Sequence, residues 1–248
     1  MFSYITQYRA QLIIQLFVHL IWTGFLFTTV EIIFSQTSTI VGWTKPEVYL
    51  LTVFWLLTDE LFVAVWGNNI SCLSELTTRG TLDSYITKPT NTLFLVSNQR
   101  ISFTGMLKFF TQCLIAGWLF LNFDFGTSPL RIAATFLTLL LAISIDFSLT
   151  LMGNTLSFWF SRIENINSLI GSIHGLGRYP LNLWPRPLKI IFLSALPIAF
   201  SGYIPLAILT GKWPLYSIVY VALVALIFGV FAHWFWQQGL KKYSSASS

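Results

Sequence analysis

Long apolar stretches recur along this chain, at residues 10–34, 48–68, 101–121, 130–160 and 215–236. A helix needs about 20 predominantly apolar residues to cross a bilayer, so each stretch reads as a membrane span. Charge is scarce enough to force the same reading. Only 9% of the residues are charged, against 55% hydrophobic, whereas a soluble domain carries roughly 25% charged residues. A water-facing surface cannot be covered with so few charges, so the solvent around most of this chain is lipid. The 10 Trp and 23 Phe suit lipid packing and the membrane interface. The fold class that follows is all-α, a polytopic membrane protein. At 248 residues it forms one transmembrane domain over residues 1–248.

The net charge of +5 does not point to nucleic acid, because the basic residues are scattered through loops and never form a run interleaved with aromatics. They serve better as topology signals. Cys72 falls in a loop and Cys113 in a span, so neither a disulfide nor a metal-ligand spacing is expected. Arg9 is the basic residue nearest the start, and no small-residue cleavage site follows the apolar stretch from Ala10. Residues 1–9 therefore read as a short interfacial segment rather than part of a cleaved leader.

Lys and Arg concentrate on the cytosolic side of a membrane. The polar loop 70–100 carries Arg79, Lys88 and Arg100, and the tail carries Lys241 and Lys242. Six spans place both on one side, with N- and C-termini in the cytosol. The fifth span has two candidates. Residues 189–209 are apolar enough but hold Pro197, Gly202 and Pro205, which break a continuous helix. Charge favours 189–209, which would put Arg178, Arg186 and Lys189 inside; residues 163–178 are only moderately apolar, and choosing them turns the segment 180–210 into broken helices that re-enter from outside. Irregular backbone at membrane depth is tolerated only when buried in protein.

The loop 70–100 is the most informative stretch. Gly80 permits a sharp turn, Thr81 can cap a short helix, and Asp83 in the first turn suits its dipole. Leu82, Tyr85 and Ile86 fall at i, i+3 and i+4, which gives one apolar face; Lys88 and Pro89 close the segment. A two-turn amphipathic helix in a cytosolic loop is either an interfacial helix on the lipid headgroups or a knob for a partner's groove.

At Glu75, Arg79-Gly80, Leu82-Asp83, Tyr85-Ile86, Lys88-Pro89, Asn91 and Leu93-Phe94, this loop resembles the first cytosolic loop of short six-span ABC transporter permeases of the type-2 exporter class. Arg178-Tyr179-Pro180, Pro185, Pro197 and Pro205 resemble the proline-studded segment that follows the fourth span in that family. The resemblance extends over nearly the whole chain. It implies that residues 75–89 are a coupling helix seated in a cleft of a separate ATPase. Two permease subunits, identical or different, would work with two ATPases. It implies re-entrant external helices before the last span, which favours 163–178 as the fifth. It also implies a plasma (inner) membrane location and cargo that is hydrophobic or amphipathic. ATP and Mg would belong to the ATPase, and no cofactor to this chain. The family has an amphipathic elbow helix before its first span, for which only residues 1–9 are available here.

Ionisable residues at membrane depth are functional candidates by default. Asp59 and Glu60 lie midway along the second stretch, Asp146 within the fourth, and Glu31 near the outer end of the first. Lys108 lies about 11 Å into the third at about 1.5 Å per residue, at a depth similar to Asp59, so an Asp59–Lys108 pair is expected. His19 and His233 read as packing or interfacial residues, and Trp43, Trp184, Trp213, Trp234 and Trp236 as interfacial anchors. Gly171 and Gly175 form a small-x-x-x-small element suited to helix packing, within the chain or between subunits.

Two other classes compete. An ATP-independent secondary transporter or channel suits broken helices and buried acids, but it often shows an inverted repeat, and none is evident. A membrane-embedded enzyme needs a set such as H-E-x-x-H or G-x-S-x-G, and neither occurs; His174 with Glu164 is too isolated. No G-x-x-x-x-G-K-[ST] loop occurs either, so any nucleotide chemistry falls to a partner.

Overall fold

The computed structural model describes residues 2–160 and 166–243, with side chains described from Ala10 onward. Among these residues the regular structure is all helical, with no β-strand. Five helices are long and apolar enough to cross a membrane, and six if one sharply bent pair counts as a single span.

Helix α1 (Phe2–Phe34) runs unbroken through the segment read as interfacial. Its buried residues His19, Thr23, Leu26 and Val30 recur at helical spacing. They form one stripe that packs on the interior, while Ile13, Phe17, Phe25 and Ile32 remain exposed. Helix α2 (Lys45–Phe62) is the central element and is buried along most of its length. It is capped by Thr44 and Glu47, which satisfy each other's open donors.

Beyond Phe62, α2 widens into a π turn at Val63–Gly67 and continues as α3 (Asn68–Ser71) and α4 (Leu73–Thr78). The helical run from Lys45 to Thr78 has 34 residues. At about 1.5 Å per residue that is about 51 Å, well beyond a hydrocarbon core of about 30 Å. The sequence expectation ended this span at residue 68. Asn, Ser, Thr and Glu lower hydropathy without breaking a helix, so the helix continues where the apolar pattern stops.

The polar loop then folds back through α5 (Asp83–Ile86) and α6 (Thr92–Ser97) into α7 (Phe103–Asn122). Helix α8 (Pro129–Thr155) follows and packs along α12 (Ser217–Lys242). Close approach of these two is possible because Gly239 lacks a side chain. A Cβ there would lie 2.6 Å from the Phe158 ring. Gly105 does the same for α7, since a Cβ would lie 2.9 Å from the Ala64 backbone.

Between α8 and α12 lie α9 (Ile166–His174), α10 (Arg186–Leu193) and α11 (Tyr203–Leu209), with short 3-10 turns. Arg186–Leu193 and Ile198–Leu209 are bent by 78° at their break. Pro197 and Gly202 sit in and after that break, where a straight helix would lose its hydrogen bonds. The expected fifth span, 163–178, begins outside the described residues. Its described part is α9 plus the 3-10 turn Gly175–Arg178.

Two of the expected interfacial anchors are core residues instead. Trp43 is 1% exposed and stacks beneath Lys212 Nζ at 3.6 Å, and Trp236 is also 1% exposed. Being near a span end does not place a ring at the interface when the chain folds over it. Trp234 is half exposed.

Candidate functional site

The loop surface is built from the inside outward. Asn69 is buried and donates through Nδ2 to the carbonyls of Ser97 and Arg100, both at 2.9 Å, which fixes where the loop returns. The π turn frees the Ala64 carbonyl to accept the Ser102 N–H at 2.8 Å. Gly80 adopts φ +69°, the left-handed conformation that lets α4 end and the chain reverse. Asn91 caps α6 by accepting from the Phe94 N–H at 3.2 Å.

Leu82 is fully buried in a cluster with Ile70, Leu73, Val96, Leu151 and Trp236, and Tyr85, Leu93 and Tyr243 pack against it. This divides the expected apolar face. Leu82 and Tyr85 point toward the spans, and Ile86 points away at 41% exposed. The helix is also shorter than the sequence suggested. Asp83–Ile86 makes one turn, and Thr81 lies before its start without capping it; the Thr81 carbonyl instead accepts from the Ser84 N–H and hydroxyl. Ser84, Ile86, Thr87, Lys88 and Pro89 form the exposed ridge, with Lys88 Nζ 5.4 Å from the Tyr85 ring centre. Glu75 and Arg79 pair at 2.9 Å, both exposed. Behind the ridge, Tyr243 ends α12. Burial, and then the Asp83 carboxylate it faces, push the Tyr243 hydroxyl up to about 12.

A second polar centre lies inside the helices. His174 Nδ1 is 3.4 Å from Asp59 Oδ1, and Nε2 is 3.3 Å from Asp146 Oδ2. Ser201 donates its hydroxyl to the same Asp146 oxygen at 3.3 Å, and its carbonyl accepts from Thr58 at 3.3 Å. Three helices and the break between α10 and α11 thus converge on one imidazole. This corrects the expected Asp59–Lys108 pair. Among the described residues Asp59 pairs with His174, and Lys108 lies in a groove with His19 and Glu60. His19 is also more than a packing residue. Its Nδ1 is 3.2 Å from Glu60 Oε1, and its Nε2 is 2.9 Å from the Gln112 amide. Depth along a helix could be read from sequence, but azimuth and the position of α9 could not. Glu31 receives the Tyr49 hydroxyl and the Lys45 ammonium at 3.1 Å, at the end of the spans opposite the loop.

Gly171 and Gly175 make no close contact within the described chain; nothing lies within 4 Å of where either Cβ would sit. Close approach falls instead to Gly177 and Gly202. A Cβ at Gly177 would lie 2.7 Å from the Ile198 carbonyl oxygen, and one at Gly202 would lie 3.0 Å from the Leu51 carbonyl oxygen.

With this geometry established, the comparison with protein families is decisive. Residues 20–247 match the family described as ABC-2 family transporter protein. The chain belongs to the ABC-2 transporter family. It is therefore a multi-pass ABC transporter permease, the membrane-spanning part of such a transporter. A comparison with curated proteins gave no match.

Proposed function

We propose that this ABC-2 permease is driven by separate ATPase subunits that dock on the ridge at residues 75–89, and that it works as an exporter. The observation that carries the docking reading is the division of the loop. Leu82 is fully buried beneath it, while Ile86, Lys88 and Pro89 stand clear on its outer side. An apolar side chain held exposed on a rigidly anchored turn is suited to a partner's cleft. ATP and Mg are held by the ATPase. Its closure moves the ridge, and the buried cluster passes the motion to α3, α4, α8 and α12 as a rigid body.

Two permease subunits complete the transporter, identical or different. Gly175, open to beyond 4 Å, is available for that contact. The loop end and both termini lie in the cytosol, and the protein sits in the plasma (inner) membrane with bulk lipid around its exposed apolar helices. Segment 180–210 re-enters from outside. Several contacts support this reading. Asn182 accepts from Tyr203, whose ring packs on Trp43, and Lys212 reaches Glu47 at 2.7 Å, so both ends of the segment meet the end of α2 opposite the loop. Between them Ser201 reaches Asp146.

The test is affinity purification of the tagged chain in mild detergent, with mass spectrometry of what accompanies it. Recovery of an ATPase bearing a P-loop, lost when Ile86 is made charged, supports the reading. Repeated recovery of the protein alone from a native-like lipid environment overturns it.

A further inference from the structure

The cluster around His174 borders a cavity of about 260 Å³ lined by Asp59, Asp146, Asn68, Asn167, Phe62 and Ile198, among others. Both ring nitrogens of His174 face carboxylate oxygens. A neutral ring can donate to only one of them, so the second contact needs one further proton, on the ring or on a carboxyl. In either arrangement two aspartates and one histidine carry a net charge of −1. The neighbouring charges do not cancel it. Lys108 lines a groove with the oppositely charged Glu60 and makes no ion pair within 4 Å among the described residues, and His19 Nδ1 lies 3.2 Å from Glu60 Oε1. A residual negative charge among apolar helices is costly unless a cation or one more proton meets it.

Three further observations bear on what that cation is. Asp59 keeps 35% of its side chain exposed, while Asp146 keeps 4%, so one carboxylate opens to the cavity and the other anchors the ring. The π turn in α2 contributes Val63 and Gly67 to the cavity wall, and such turns recur at binding sites. Ser71 and Asn167 line both this cavity and a second, more polar one of about 570 Å³ beside Glu75 and Arg79 at the loop end. Asn167 donates to the Ser71 carbonyl at 3.3 Å where the two cavities adjoin. The inner space far exceeds a bare alkali ion. A cavity of about 150 Å³ already accepts benzene, and Phe62 lines this one, an aromatic neighbour of the kind that suits an ammonium.

We propose that this cavity binds an organic ammonium group, with Asp59 and Asp146 supplying the charge and Phe62, Leu149 and Ile198 the apolar wall. As cargo chemistry it rests on the permease reading and narrows it to cationic amphipaths. The two fail separately, because binding is measured on the chain alone and ATPase recovery is not.

The experiment uses the full chain in lipid nanodiscs and radiolabelled benzyltrimethylammonium. Saturable binding is expected, weakened about ten-fold or more by Asp59→Asn, as the loss of one charge partner predicts. Asp146→Asn can unfold the cluster, so Gly171→Phe provides an independent variant. Gly171 lines the cavity and has open space at its Cβ, so a ring there fills the site and leaves every charge in place. It should abolish binding while the chain elutes as the wild type does. Absence of saturable binding, or binding unchanged by both Asp59→Asn and Gly171→Phe, overturns the proposal. Displacement by millimolar Na⁺ or K⁺ that depends on Asp59 would assign the site to an alkali ion and overturn it equally.

Discussion

Leu82 in the docking loop and Trp236 in the last span belong to one apolar cluster, and each is 1% exposed or less. The loop is therefore bolted to α12 as well as to its own helix. Truncating Leu82 to Ala removes buried methyl groups from beneath the loop and leaves a void, at a cost of about 2–5 kcal/mol. The expected result is a lower unfolding temperature of the purified chain, by fluorescence-monitored thermal denaturation. An unchanged midpoint would mean that Leu82 is not the anchor described here.

Ile86 lies on the other side of the same turn and should behave in the opposite way. At 41% exposed it contributes little to the fold, so Ile86→Asp should change stability by no more than about 0.5 kcal/mol. It should nonetheless remove the ATPase from affinity-purified preparations. Together the two variants separate anchoring from docking. A thermal shift in Ile86→Asp as large as in Leu82→Ala would erase the distinction.

The sequence made the spans legible for a simple reason. Lipid imposes a length and an apolar composition that no soluble fold needs, and five of the expected stretches correspond to membrane-length helices. The loop motif was legible because glycine at a left-handed turn, an acid and an apolar pair follow local rules, and Gly80 does adopt φ +69°. What was not legible depends on azimuth and on distant chain. Leu82 and Ile86 look equivalent on a helical wheel, yet Leu82 is buried by Trp236, which lies over 150 residues away. Nothing in the spacing of Asp59, Asp146 and His174 says that they meet. Their one shared signal was that each is an ionisable group in an apolar neighbourhood, and His174 was set aside for want of a partner nearby in sequence.

The pairing of Asp59 with His174 rather than Lys108 has a direct consequence. Replacing His174 by Ala leaves Asp146, 4% exposed, without its nitrogen partner. Removing one member of a buried charged pair costs about 3–5 kcal/mol. Lys108 makes no ion pair within 4 Å among the described residues, so Lys108→Ala should cost no more than about 1 kcal/mol. Exchanging the charges of Asp59 and Lys108 should not restore what Asp59→Lys loses. Thermal unfolding of the four variants checks the order, and rescue by the exchange would reinstate the pair that the depths alone suggested.

The bent segment before α12 gives the sharpest topological forecast. Residues 179–185 lie on opposite sides of the membrane under the two arrangements of the fifth span. With α9 and its 3-10 turn crossing, they face outside; with the α10–α11 pair crossing, they face the cytosol. After Cys72 and Cys113 are replaced by Ser, single cysteines at Leu183, Gln36 and Thr90 can be probed in intact cells with a membrane-impermeant maleimide. All three positions are exposed. Leu183→Cys is expected to label together with Gln36→Cys, in the connector between α1 and α2, while Thr90→Cys in the docking loop stays protected until the cells are opened. The bond from the Tyr203 hydroxyl to Asn182 Oδ1 at 3.3 Å favours this outcome, because it holds residues 179–185 beside α11, which Arg131 fastens through the Ile208 carbonyl at 2.8 Å to the end opposite the loop. Labelling of Leu183→Cys with Thr90→Cys instead would make the α10–α11 pair the fifth crossing, and the His174 cluster would then border a continuous broken helix rather than the tip of a re-entrant one.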